Sequence, residues 1–384
     1  MARTGRTRTR SYLVSQGTRK GTWIIPLDET VLTSNGETCT DSHGRPVEDS
    51  GFSVSLTDRS LFKGFSGTNQ GPGANKLVYE NYPMGYQRNW IAGHLPTSAP
   101  PDAGLGATIL SRTNPSRPVI VPFTLVQDLV DIPKMLKDVG RLARTPRRLL
   151  SGREAANQYL GAKFGWLPLI DDAKKLINLG EYIQKRKGEL DRLYSGQGLK
   201  RRIRLGHGHA SNHGGLETFN SDLGMSPLLT GRVSVDTDEI VWGTARWKPT
   251  NVPPGYNPSD ADKFRTAKQL VSGLTTEGVI KGAWDVLPWT WMVDWFGNIG
   301  DWLTQSSSTV PAAPVSCCIM RTKTTVHQHS ITAAPKWVVD GGGVGIFTTK
   351  SRSLASGTLS ASLPTLDANR LSILSALFVQ RFKR

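Results

Sequence analysis

Apolar residues recur at helical spacing in several long blocks of this chain and alternate at strand spacing between them. Ile132, Leu136, Val139 and Ala143 step by four, three and four, one face of a helix. Asp131 can cap that helix, Pro133 suits its first turn, and Thr145-Pro146 ends it. Ser151-Gly-Arg-Glu154 has capping-box spacing and predicts a second helix to about Phe164. After Gly165-Trp166-Leu167-Pro168, the residues Leu169, Ala173, Leu176, Gly180 and Ile183 resume the pattern. Leu190 and Tyr194 continue it as far as Gly196 and Gly198. Ser259 is a candidate cap for a helix over 258–274. Trp284, Leu287, Trp291, Trp295, Ile299 and Trp302 keep helical spacing over 283–303, and Leu366 to Phe382 predicts a final amphipathic helix with a basic end.

The intervening blocks are different. Residues 21–120 are rich in Gly, Pro, Ser, Thr and Asn. Their short β-prone runs are Thr22–Ile25, Phe52–Leu56 and Leu77–Tyr79, and His94 to Pro118 reads as an irregular connection. Residues 199–250 alternate, most clearly over Arg232–Val241, and 315–350 predict two long strands about Asp340-Gly-Gly-Gly343. Helical and strand blocks follow one another in long segments and not in βαβ units. The predicted fold is therefore α+β, with two regions that are each discontinuous in sequence. Residues 21–120, 199–257 and 306–365 form the β-region; residues 121–198, 258–305 and 366–384 form the helical region.

Charge points to a class of partner only through its sign and clustering. Among 384 residues, 47 Lys and Arg against 31 Asp and Glu leave a net +16, which favours polyanions, nucleic acid first. Residues 1–20 carry Arg3, Arg6, Arg8, Arg10, Arg19 and Lys20 with no acid before Asp28, and read as a flexible basic arm. Lys134, Lys137, Arg141 and Arg144 share one helix face about 15 Å long. Arg147, Arg148 and Arg153 extend that patch. A second cluster comprises Lys185, Arg186, Lys187, Arg192, Lys200, Arg201, Arg202 and Arg204. These are the candidate RNA contacts, because a nucleic-acid strand presents a phosphate every few ångströms.

Other chemistry is poorly represented. His207, His209 and His213, and His327 with His329, lack the ligand spacing of a zinc site. Asp236-Thr-Asp238-Glu239 reads better as a strand face than as a cation loop. No nucleophile elbow or P-loop is visible, so no catalysis, cofactor or metal is expected. Cys39, Cys317 and Cys318 suggest no disulfide framework, which fits a reducing compartment. No secretory signal is visible. Asp285, Asp294 and Asp301 argue against a membrane span in the Trp-rich stretch, and Leu371 to Val379 is too short for one. Trp166, Trp284, Trp291, Trp295 and Trp302 are expected in a helical core, with Asp294 buried and paired beside Trp291.

Two segments carry a resemblance. PWTWMVDWFGNIGDWL and AANQYLGAKFGWLPLIDDAKKL are similar to segments of the maturation protein of small single-stranded RNA bacteriophages. The matching positions are Gly165, Trp166, Pro168, Leu169 and Asp172, then Pro288, Val293, Asp294, Trp295, Phe296, Asn298, Gly300, Asp301 and Leu303. The resemblance implies an elongated protein with a helical bundle at one end and a β-region at the other. It implies a single-copy virion component, present in the host cytoplasm during assembly, that replaces a coat-protein dimer. Its partners would be genomic RNA near a 3′ hairpin, phage coat protein and a host pilus. In some relatives a host peptidoglycan-synthesis enzyme is a further partner. The competing readings are a cellular RNA-binding protein and a metal-dependent nuclease built on the His or Asp clusters.

Overall fold

A computed structural model describes residues 4–43, 51–58, 65–82, 93–120, 152–219, 229–253, 255–275, 309–339, 343–357 and 368–382. The predicted helices at 131–144 and 283–303 lie outside the described residues, with Lys134, Lys137, Arg141, Arg144, Arg147, Arg148, Trp284, Trp291, Asp294, Trp295 and Trp302. The fold mixes helices with a larger share of strand. The chain divides into two compact units, each discontinuous in sequence. The first comprises Met1–Asp102, Arg204–Gly243 and Cys318–Ala355; the second comprises Ala103–Ile203, Thr244–Cys317 and Ser356–Arg384. Among the described residues every helix belongs to the second unit.

The strands are β1 (Thr4–Trp23), β2 (Ile25–His43), β3 (Phe52–Asp58), β4 (Phe65–Gln70), β5 (Lys76–Tyr82), β6 (Leu199–Phe219), β7 (Leu229–Pro249), β8 (Ala312–Ala333), β9 (Val338–Val339) and β10 (Gly343–Leu354). They are ordered β6-β7-β8-β10-β3-β2-β1-β5-β4-β9. Non-sequential neighbours such as β10 and β3 pair antiparallel, Phe347 opposite Thr57 and Lys350 opposite Val54. Burial in β7 alternates from Thr237 to Lys248, with Thr237, Glu239, Val241, Gly243, Ala245 and Trp247 inward, as one face of a sheet requires.

The basic arm is the first correction. Residues 4–23 form β1, paired along their length with β2. Arg6, Arg8 and Arg10 fall opposite Asp41, Cys39 and Glu37. Arg6 grips Asp41 with two nitrogens, at 2.5 and 3.0 Å, and Arg8 reaches the same carboxylate at 3.1 Å. The missing acids come from the next strand, so cross-strand charge pairs replace self-repulsion. Of Thr22–Ile25, expected as a strand, Thr22 and Trp23 end β1 and Ile25 begins β2, with the chain reversing at Ile24. Beside this hairpin, Phe65, Leu77, Tyr79 and Tyr82 form an aromatic core packed by Trp23, Leu27, Val31 and Trp337. Tyr79 stacks on Trp337 with centroids 5.7 Å apart.

The second unit holds α1 (Leu105–Thr113), α2 (Gly152–Gly161), α3 (Leu167–Ile177), α4 (Leu179–Tyr194), α5 (Asp260–Ser272) and α6 (Ala368–Phe382). α1 lies inside the stretch expected to be irregular. Ile109 and Leu110 anchor it, and the Thr113 hydroxyl accepts from the buried Trp247 indole at 3.2 Å. The predicted break at 165–168 is absent. A π-turn over Ala162–Trp166 joins α2 to α3, and Pro168 follows it as the second residue of α3. Trp166 is half-buried there. The break comes instead at Asn178, between α3 and α4. Ser259 caps α5 by accepting from the Asp262 N–H at 3.2 Å, and Gly273 ends it at φ 69°. α4 packs on α5, and α6 on α2, where the hydroxyls of Tyr159 and Ser372 lie 2.7 Å apart. Among the described residues no helix is long and apolar enough to cross a membrane.

Candidate nucleic-acid interface

The described basic residues of the second unit separate into inward and outward groups. α4 ends in a short turn at Ser195–Gly198, and β6 then runs back beside it. This brings Arg201 to Glu189. Glu189 accepts from Arg186, three residues earlier on the helix, at 2.9 Å, and also from Arg201. Arg186 further donates to the Arg117 carbonyl at 2.6 Å, and Arg201 to the carbonyls of Thr113 and Asn114 at 2.9 and 2.8 Å. Only 12–15% of these three side chains is exposed. Burial opposes ionisation of Glu189, but the two guanidiniums outweigh it and hold the carboxyl below its usual range. Burial and the like charge of Arg186 bring Arg201 down to about 10, still protonated at neutral pH.

Arg186 and Arg201, expected on RNA, are thus used inside the fold: their donors face backbone carbonyls and one carboxylate. Lys187 is likewise drawn to Asp260 at 3.1 Å. Arg153 is in α2, and its side chain lies outside the described residues. Lys185, Lys200 and Arg202 are exposed, with Lys200 and Arg202 on the strand face opposite Arg201.

The first unit contains a polar cluster that sequence reasoning missed. Residues 93–102 lie as a strap over β7, β8, β10 and the adjacent part of β6. The ring nitrogens of His94 reach the hydroxyls of Thr325 and Thr349, both at 2.7 Å, while the ring stacks on Phe347 at 4.7 Å. The Thr97 hydroxyl donates to Glu239 at 2.6 Å, and Arg321 bridges Glu239, Asp102 and the Pro100 carbonyl. Gly206 and Gly208 permit the approach: a Cβ would lie 2.5 Å from Pro100 and 2.4 Å from Ala99. Burial and the nearby Lys323 ammonium push His94 below the usual imidazole range; burial does the same to His327, and takes His329 to about 3. The only signal in the sequence was the density of prolines, which indicated a connection without indicating what lay beneath it.

Among the described residues no group of three His, Cys, Asp or Glu side chains is placed to hold a metal ion. His207 and His209 share one oxygen of Asp238 at 3.3 and 3.0 Å, on the exposed side of β6 and β7. Glu239, its neighbour in the acidic run, points the other way into the strap. No protein-family model and no curated protein sequence matches the chain. The second unit thus exposes Lys185, Lys200 and Arg202 and keeps Arg186, Glu189 and Arg201 inside. The first unit offers a broad antiparallel surface locked by its strap.

Proposed function

We propose that the chain is a maturation protein of a small single-stranded RNA bacteriophage. In this reading one copy enters each virion in place of a coat-protein dimer, binds the genomic RNA near its 3′ end and attaches the particle to a host pilus. RNA and protein are then delivered to the cell together. The role is binding and attachment, without catalysis. The second unit would contribute a helical bundle, and the strand-built first unit the attachment surface, in an elongated molecule.

The observation that carries the reading is the pair of motifs in the sequence, Gly165 to Asp172 and Pro288 to Leu303. The residues from Gly165 to Asp172 lie in the unit that holds every described helix. The other unit is made of strands and connections among its described residues. The outward Lys185, Lys200 and Arg202 support an RNA role, since shape and backbone contacts dominate recognition of folded RNA. Crosslinking the chain to RNA inside purified particles tests the proposal. Reads concentrated at one hairpin near the genome's 3′ end are expected; comparable crosslinking to many host RNAs would contradict it.

A further inference from the structure

The strap over the first unit's sheet is held differently at its two ends. At one end Arg321 binds Asp102, the Pro100 carbonyl and Glu239, and Glu239 accepts from Thr97. At the other end the contacts are hydroxyls and an imidazole. The Leu95 N–H donates to the Thr237 hydroxyl oxygen at 3.1 Å, and the Thr237 and Thr325 hydroxyls lie 2.7 Å apart. Thr325 meets Nδ1 of His94, and Thr349 meets Nε2, each at 2.7 Å.

These groups form one chain, and burial sets its direction. Thr237 is fully buried and already accepts from Leu95, so its own proton goes to Thr325. Thr325, also fully buried, gives its proton to Nδ1. The ring proton therefore sits on Nε2 and is donated to Thr349, which is only half-buried and can turn its own proton to solvent. A second ring proton, on Nδ1, reverses this wiring. Thr325 must then accept from the ring and donate to Thr237, and the buried Thr237 proton is left without an acceptor among the described residues.

The neighbouring charges do not restore the balance. Burial opposes the charged ring most, Lys323 and His327 of β8 repel it, and Glu239 of β7 attracts it. Glu239 is already shared by Arg321, Lys323 and Thr97, and Asp102 of the strap is held by Arg321. From β10 the ring meets Phe347 and Thr349, which carry no charge, and β6 meets the strap with Gly206 and Gly208.

We propose that His94 is a proton-operated latch: its second proton frees residues 93–96 from the sheet while Arg321 keeps residues 100–102 in place. The strap swings on its Arg321 end and uncovers Thr237, Thr325 and Thr349. That end holds in mild acid. Burial favours neutral Glu239, but Thr97 and Arg321 outweigh it and keep the carboxyl below its usual range. The latch is independent of the RNA and attachment roles proposed above.

Hydrogen exchange of single strap amides in the full chain, from pH 7.5 to 5 and corrected for intrinsic rates, tests it. A free imidazole titrates near pH 6.5 and the latched ring below that, so the open strap binds more protons in between. Closure is complete above about pH 6.5 and weakens as pH falls. Leu95 protection should drop by up to about 10-fold per pH unit, the slope of one proton, while Ala99, held through Thr97, keeps its protection. His94→Gln should remove the slope at Leu95, and His327→Gln should retain it. Nitrogen NMR of the wild type at pH 7.5 should find the His94 proton on Nε2. Constant Leu95 protection in the wild type, an undiminished slope in His94→Gln, or a proton on Nδ1 at pH 7.5 would each overturn the latch. If His94→Gln is unprotected already at pH 7.5, the wild-type ring decides: titration below about 6.5 supports the latch, and titration at or above it overturns it.

Discussion

Arg201 reaches Glu189 from the strand that follows its helix, and both side chains lie beneath the surface of the second unit. Arg186 shares the same carboxylate. Removing Glu189 would leave two buried guanidiniums facing each other. Glu189→Ala should therefore destabilise the second unit by about 3–5 kcal/mol, the cost of breaking a buried ion pair from one side. Denaturant unfolding followed by hydrogen exchange of α4 amides would measure it; a loss below about 1 kcal/mol would show that the cluster contributes little.

The outward cations predict the opposite behaviour. Lys185→Glu, Lys200→Glu and Arg202→Glu together should leave the fold intact and weaken RNA binding. If all three meet phosphates, the slope of log K against log salt should fall by about 2, at roughly 0.7 per contact on single-stranded RNA. A salt titration with the genomic 3′ hairpin checks this. An unchanged slope would remove these residues from the interface.

Acid should loosen the first unit before any carboxylate titrates. His329 is held neutral by burial, at about 3, and His94 and His327 are shifted the same way. Unfolded imidazoles take up protons near pH 6.5, so between that value and the folded pKa the unfolded chain binds more protons. Stability contributed by these groups is full above about pH 6.5 and declines as pH falls toward 3. Hydrogen exchange of β8 amides from pH 7.5 to 5, corrected for intrinsic rates, should show protection falling; constant protection would contradict it.

The strap is held by a few polar contacts, with Arg321 at their centre. Arg321→Ala removes its bonds to Glu239, Asp102 and the Pro100 carbonyl together. We expect a destabilisation of about 3 kcal/mol or more, and faster limited proteolysis within 93–102 than elsewhere in the unit. Equal cleavage rates in wild type and variant would mean that the strap is held by other contacts.

Position 24 gives a test of strain alone. Ile24 holds φ 64°, and Ile24→Gly relieves this left-handed conformation, worth roughly 1–2 kcal/mol for an L-residue, against the added backbone freedom of glycine in the unfolded chain. The variant should be more stable by about 0.5–1 kcal/mol. A less stable variant would show that the Ile24 side chain supports the fold.

Legibility in the sequence followed the range of the interactions. Ser259, the end of α4 near Gly196 and the alternation in β7 depend on neighbours a few residues away, and each could be read directly. The strand nature of residues 4–23 could not, because the acids facing Arg6 and Arg10 are supplied by β2. The division of the basic cluster was half visible. Alternation put Arg201 opposite Lys200 and Arg202, but which face turned inward depended on the Thr113 and Asn114 carbonyls far back in the chain. The strap was hidden for the same reason: Thr97 meets Glu239 across 142 positions of sequence. Continuity through Gly165–Pro168 depended on a π-turn that composition does not signal.

The central claim is that one chain accompanies one RNA. Isotope-dilution mass spectrometry of purified RNA-containing particles, with genomes counted in the same sample, measures the ratio directly. The account predicts one chain per genome. A chain that is absent from such particles, or present at the stoichiometry of the coat protein, would contradict it.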